Sequence, residues 1–322
     1  MNNCTNPKHP IQTLLDDFFA KAEIRDVITE YQHQNSSCSK WLMFSDYCFD
    51  DKGKANDVVT FVLMPFVSEA KYLEMEQKIH DMQPSDIKRT DTVNKTFLSY
   101  LKNEGILTFS FVFDDRKHFL APSHIQCLRG IKETLQMIRD CYEEWKKTAK
   151  DKGNIEHYDK VVKTITQQLA PLNGKNPDIK LLNDILITAF LGAYVSAKVL
   201  EKLPIEIFGW FSDRDKIISG KGNIIVPIFN FYQHNMLGGC QFQFCTFTPN
   251  DKEKPFFDDF NRIADVITGA IADYNMKENY ITADKFNTVL IDFLANNKQA
   301  LIFRIHKIND DYCLGQIMVH PK

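Results

Sequence analysis

The spacing of apolar positions divides the chain into alternating helical and extended segments. Ile11, Leu14, Leu15, Phe18, Phe19 and Ala22 recur at helical spacing and predict an amphipathic arm over 11–34. The polar stretch 34–40 then leads into 41–66. Its two runs, about 41–49 and 58–66, flank Asp50-Asp51-Lys52-Gly53-Lys54 and predict a β-hairpin. The second run is apolar nearly throughout, as expected of a strand buried on both faces. Helical patterns over 68–82 and 92–104 precede a third strand at 106–113 (ILTFSFVF).

The pattern changes at 124–170, where charge-rich exposed positions predict two helices around Asp151-Lys152-Gly153-Asn154. Asp178 suits the N-cap of a long apolar helix over 179–202, which Pro204 ends. A strand follows at 205–211 and terminates in Ser212-Asp213-Arg214-Asp215. Residues 223–237 are apolar and ambiguous, with a helix after Pro227 as one reading. Period-two alternation marks 240–248 as a strand, and Phe260, Ile263, Ala264, Ile267 and Ile271 mark an amphipathic helix over 257–274. A last helix over 282–296 and a terminal hairpin (LIFRIHKI, YCLGQIMV) close the chain. The expected class is α/β. Three parts are expected: an N-terminal helical arm at 1–40, a main domain at 41–282 with a helical insertion at about 120–177, and a C-terminal helix and hairpin appendage at 283–322.

Composition narrows the function classes. With 322 residues, 44% hydrophobic and 25% charged, the chain has the makings of a folded core and excludes disordered or collagen-like classes. A net charge of −3, with eight arginines against 31 lysines, argues against wholesale coating of nucleic acid and leaves room for a local basic groove. The eight cysteines form no C-x-x-C pair, and the polar start of the chain has no apolar core, so reduced cysteines and a cytoplasmic location are expected. The longest charge-free apolar run near a helix, 185–197, is thirteen residues, so no membrane span is expected. The histidines and cysteines lack zinc spacings, and no P-loop, dinucleotide fingerprint or nucleophile elbow occurs.

Three acids fall at telling places. Asp46 lies in the first strand, Asp213 at the end of the fourth, and Asp265 in the helix after the fifth. Hard divalent cations take oxygen ligands, and phosphodiester hydrolysis commonly needs several carboxylates converging from separate elements. Each acid also has a plain structural reading. Asp46 can belong to a strand end, Ser212–Asp215 can be a solvated turn, and Asp265 can pair with Arg262 at i−3.

The order of three strands, helix, strand, strand and helix, with these acids, resembles the RNase H-like fold. More narrowly it resembles a bacterial group of RNase H-like proteins. Their first strand carries Asp-Glu-Ser-Gly and their last helix a Leu-Gln-x-Ala-Asp-x-Ile-x-Gly-Ala pattern. Here Phe260-Asn261-Arg262-Ile263-Ala264-Asp265-Val266-Ile267-Thr268-Gly269-Ala270 matches the second, and Phe44-Ser45-Asp46-Tyr47-Cys48 keeps only the Asp of the first. The resemblance implies a mixed five-stranded sheet flanked by helices. It implies a metal-dependent nuclease or related phosphoryl-transfer enzyme acting on nucleic acid, with Mg²⁺ or Mn²⁺ on Asp46, Asp213 and Asp265. Asp184, on the helix before the fourth strand, and Asp215 are the further candidate acids. Tyr47 and Cys48, where the group has Glu and Ser, motivate a second expectation: a non-catalytic interaction or scaffold protein in a bacterial multi-protein, defence-type system. Such a protein would dock its partner through the helical insertion or the terminal appendages.

Overall fold

The expected hairpin forms between β1 (Lys40–Cys48) and β2 (Asp57–Pro65), antiparallel from Trp41 opposite Pro65 to Cys48 opposite Val58. A computed structural model describes residues 10–121, 123–213, 215–239, 242–247, 255–308 and 311–320. In it the chain is an α/β protein whose mixed sheet has seven strands flanked by helices. The order is β5-β4-β1-β2-β3-β6-β7, with β3 at Leu107–Phe113, β4 at Ile207–Ser212, β5 at Gln243–Phe247, β6 at Ala300–Ile308 and β7 at Asp311–Ile317. β2 runs antiparallel to β1 and β3, while β4 is parallel to β1 and to β5.

The C-terminal hairpin is therefore not an appendage. β6 pairs parallel with β3 from Thr108 opposite Ala300 to Phe113 opposite Ile305, and β7 continues the sheet. The reason is burial. β3 is buried along its whole length, so it needs a hydrogen-bonded neighbour on each side.

The chain divides into two units. Among the described residues the sheet unit holds 10–115, 198–213, 242–247, 255–308 and 311–320. One face of its sheet carries Phe44, Val58, Val62 and Val112 and packs against α3 (Glu69–Met82), α4 (Lys95–Asn103), α10 (Asp258–Asp273) and α11 (Asp284–Val289). Ser68 and Asn94 cap α3 and α4 through their side chains. The opposite face meets the N-terminal segment, which is two helices, α1 (Pro10–Phe19) and α2 (Ala22–Gln34), rather than one arm. Phe19 stacks on Phe109 at 6.0 Å, Phe18 meets Phe303 edge-on at 5.8 Å, and Tyr31 Oη donates to Leu63 O at 3.0 Å. After α11 the backbone widens into a π turn at Leu290–Leu294, which shortens the helix expected over 282–296.

Among the described residues the helical unit holds 116–121, 123–197 and 215–239, a wider span than the charge pattern marks. α5 (His124–Thr148) and α6 (Lys152–Leu169) pack on each other, with Asp151 capping α6 through a bond from Asn154 N at 2.9 Å. α8 (Lys216–Ser219) and α9 (Ile225–Met236) complete the unit, so the ambiguous 223–237 is helical from before Pro227. α7 (Lys180–Leu200) is long and apolar enough to cross a membrane by length and composition, and its apolar window is almost wholly buried inside the protein.

Candidate functional site

β1 and β4 are parallel with Ser45 opposite Ser212, so the residues that follow, Asp46 and Asp213, come level on neighbouring strands. Ser212 Oγ donates to Ser45 O at 2.8 Å and Trp210 Nε1 donates to Ser45 Oγ at 2.9 Å, which ties the two strands together just before the acids. Side chains alternate along a strand, so Asp46 shares the face of Phe44, the face on which α10 packs.

α10 answers with a polar stripe. Asn261, Asp265 and Thr268 recur at i, i+4 and i+7, and all three are buried. Thr268 Oγ1 donates to Asp46 O at 3.3 Å, and Asn261 Nδ2 donates to Asp213 Oδ1 at 2.8 Å. Asp265 lies between them and is only 7% exposed. The structure thus brings Asp46, Asp213 and Asp265 to one place on the sheet unit.

A segment without periodicity completes the site. Pro84, Ser85 and Asp86 lead into a short 3-10 turn, Ile87–Arg89, that lies against α10. Ile87 N donates to Asp265 Oδ2 at 3.3 Å, Lys88 Nζ stands 3.6 Å from Asp265 Oδ1, and Asp86 Oδ1 accepts from Lys88 N at 2.7 Å. The turn is anchored from both sides: Arg262 donates to Gln83 O at 2.6 Å, and Lys285 Nζ donates to Ile87 O and Thr90 O, each at 2.7 Å. Pro84, Ser85, Asp86, Arg89, Asp213, Asp258, Asn261, Arg262 and Asp265 line a cleft of about 250 Å³. A larger groove of about 920 Å³, around Lys40, Phe66, Tyr72 and Glu206, is lined by none of the candidate acids.

The electrostatics follow from crowding carboxylates in a desolvated place. Burial lifts the Asp46 carboxyl to about 7, with Lys88 opposing and Asp213 adding. Burial lifts Asp265 to about 8, where Asp46 adds, Lys88 opposes and Asp86 adds. Asp213 has a surface-exposed residue position, yet the protein packed around its carboxyl raises it too, against the bond from Asn261. Lys88 is raised as well, which in its case favours the charged form. Partial desolvation works against its charge, but Asp265, Asp46, Asp86 and Asp213 together hold its ammonium above the ordinary value.

The donor set suits a hard divalent ion, because every group is an oxygen. Two further features fit. Carboxyls held this far above their ordinary range are relieved by added positive charge. Asn261 Oδ1 is buried with no hydrogen-bond partner, and the donation of its Nδ2 to Asp213 fixes which end of the amide that is. Among the described residues no three His, Cys, Asp or Glu side chains stand together ready to hold a metal. Asp265 is instead engaged by the Ile87 N–H and faced by Lys88.

The other candidates do different work. Asp184 belongs to the helical unit, where it is buried in an ion pair with the fully buried Arg116, so its charge is matched by an arginine. Asp215, in the same unit, caps α8 by accepting from Ile217 N at 2.9 Å and Ile218 N at 3.0 Å. Asp265 does not pair with Arg262, which turns to Asp259 at 2.7 Å and Asp258 at 3.1 Å. Arg214 lies outside the described residues. Sequence reasoning missed Asp86, Lys88 and Asn261. Only Asn261 carried a signal: it opens a polar i, i+4, i+7 row beside the apolar face of α10.

Comparison with protein-family models, curated proteins and solved structures finds no match to this chain.

Proposed function

We propose that the sheet unit is RNase H-like and that the chain is a divalent-metal-dependent nuclease or a related phosphoryl-transfer enzyme acting on nucleic acid. The observation that carries the reading is the meeting of Asp46, Asp213 and Asp265 from β1, the end of β4 and the buried face of α10. The fold reading is supported by the run β5-β4-β1-β2-β3, in which β2 alone is antiparallel to its neighbours, with β6 and β7 as additions at the β3 edge.

Asp46, Asp213 and Asp265 would hold Mg²⁺ or Mn²⁺, with Asn261 Oδ1 as a neutral oxygen beside them. Bound there, the ion supplies Lewis-acid polarisation of a phosphodiester and a water of lowered pKa. The chain's own residues do the rest. Thr268 and Asn261 fix the strand and the carboxylate they touch, and the anchored 84–89 segment walls one side of the cleft. Arg89 lines the cleft and the exposed Lys88 stands beside Asp265, so both offer positive charge to an approaching phosphate backbone.

The test is hydrolysis of single- and double-stranded DNA and RNA by purified protein with Mn²⁺, beside Asp46→Asn and Asp265→Asn. The expected result is cleavage that both substitutions abolish while the variants stay folded. Cleavage at the wild-type rate by either variant overturns the assignment.

A further inference from the structure

Lys88 is the positive group that all four carboxylates of the site, Asp46, Asp86, Asp213 and Asp265, act upon. Its backbone has no freedom to leave. The turn is bonded to Asp265 through Ile87 N, to Asp86 through Lys88 N, and to Lys285 through two carbonyls. Its side chain is different. It is 72% exposed, and its one close charged contact among the described residues, to Asp265, is a long 3.6 Å. A lysine is a flexible point charge on four carbons, so it can reach inward or swing out from a fixed backbone. The orphan Asn261 Oδ1, buried on the same cleft, marks an oxygen for which Lys88 does not provide the hydrogen bond.

We propose that Lys88 is the resident counter-ion of this carboxylate group and competes with the divalent ion for Asp265. The inference rests on the metal-site reading above and adds the residue that governs it. Without metal, the ammonium offsets part of the repulsion among the acids. A divalent ion brings twice the charge and direct oxygen coordination, so it displaces the ammonium towards solvent. There Lys88, next in sequence to Arg89 of the cleft lining, is available to an anionic substrate. The site is therefore not preassembled for metal, in keeping with the engagement of Asp265 by the turn.

The experiment is calorimetric titration of Mn²⁺ into the full chain as wild type, Lys88→Met and Lys88→Arg, with melting curves of each protein in metal-free buffer. Removing a unit charge at about 4 Å from the ligands should tighten Mn²⁺ binding by roughly fivefold or more. Lys88→Met is expected to bind tighter and to melt lower without metal, while Lys88→Arg, which keeps the charge, stays near wild type on both. Binding seen only in Lys88→Met would support the same inference in its strongest form. Equal or weaker binding by Lys88→Met overturns the competition and leaves the metal site standing. Absence of binding in all three proteins overturns the metal reading itself, and this inference with it.

Discussion

Lys88 Nζ faces Asp265 Oδ1 at 3.6 Å, while the N–H of the preceding residue holds the other oxygen of the same carboxylate. One short turn therefore contacts both ends of a carboxyl that α10 buries. The protein carries a concentration of negative groups whose basic relief comes from a side chain that solvent can reach.

Asp46 and Asp265 are raised to about 7 and about 8, so the folded state prefers both protonated. Stability from a raised group is fully present below its unfolded value near 4 and is lost as pH rises through the folded value. The loss falls between about pH 4 and about pH 8. Asp86 and Asp273 are shifted down and act only in stronger acid. His157 and His234 contribute equally to wild type and variant. Asp265→Asn is therefore expected to raise the melting temperature at about pH 8.5, to raise it less at about pH 5, and to leave it nearly unchanged below about pH 4. The gain should be on the order of a few kcal/mol, since each tenfold change in proton affinity is about 1.4 kcal/mol and the two carboxyls share the effect. Melting curves across this range check it, and parallel curves for the two proteins would contradict the raised carboxyl.

Much of this frame is legible in the residues themselves. β2 and β3 announce themselves by apolar runs, and α10 by Phe260, Ile263, Ile267 and Ile271. What is illegible depends on distant partners. Ile87 reaches Asp265 across 178 positions, and nothing periodic in 83–94 signals that meeting. The β3–β6 pairing is parallel, so no turn announces it, although both strands of the last hairpin can be read locally. Asp184 reads as an acid in an apolar helix that needs a cation, which is correct. Its cation is Arg116, 68 positions away, and a sequence alone does not distinguish a guanidinium from a metal. Asp265 and Arg262 illustrate the converse. The i−3 spacing is real, but Asp258 and Asp259 take the guanidinium first.

Asn261 offers a test of how the site is held. Its Nδ2 anchors Asp213 at 2.8 Å and its Oδ1 lies unbonded in a buried place. Replacing it with Leu removes a buried oxygen that lacks a partner but also takes the donor from the Asp213 carboxylate, at a cost of about 1–3 kcal/mol. Asn261→Leu is expected to fold with a melting temperature within a few degrees of wild type and to lose roughly tenfold in Mn²⁺ affinity, as loss of a ligand-orienting partner does. Calorimetry and a melting curve on the same sample decide it. Unchanged affinity would remove Asn261 from the site.

In the helical unit, Arg116 and Asp184 are buried together, and Asn183 Nδ2 also donates to Arg116 O at 3.3 Å. Breaking one side of such a pair leaves an uncompensated buried charge and costs roughly 3–5 kcal/mol, whereas replacing both sides by apolar groups is often near neutral. Arg116→Met is expected to destabilise by that amount, and Arg116→Met with Asp184→Leu to recover most of it. Urea unfolding of the two variants measures this. An Arg116→Met single variant as stable as wild type would show that the pair carries little.

The last expectation links packing to the site through Gly209. A Cβ at this position in β4 would meet Phe211 Cε2 at 2.6 Å and Leu42 Cδ2 at 3.3 Å. The Phe211 ring cannot easily yield, because it packs against Phe44 at 6.0 Å and Phe257 at 5.1 Å and is itself buried. Gly209→Ala therefore pushes on the strand segment that ends in Ser212 and Asp213. Overpacking of this kind costs roughly 1–3 kcal/mol. Because Ser212 Oγ ties β4 to β1 through Ser45 O, the displaced strand end also moves Asp213 relative to Asp46. The expected outcome is a melting temperature lowered by several degrees together with weakened Mn²⁺ binding, although the substituted residue touches no acid. A loss of stability with metal affinity intact would mean that the strand absorbs the methyl group before it reaches Asp213.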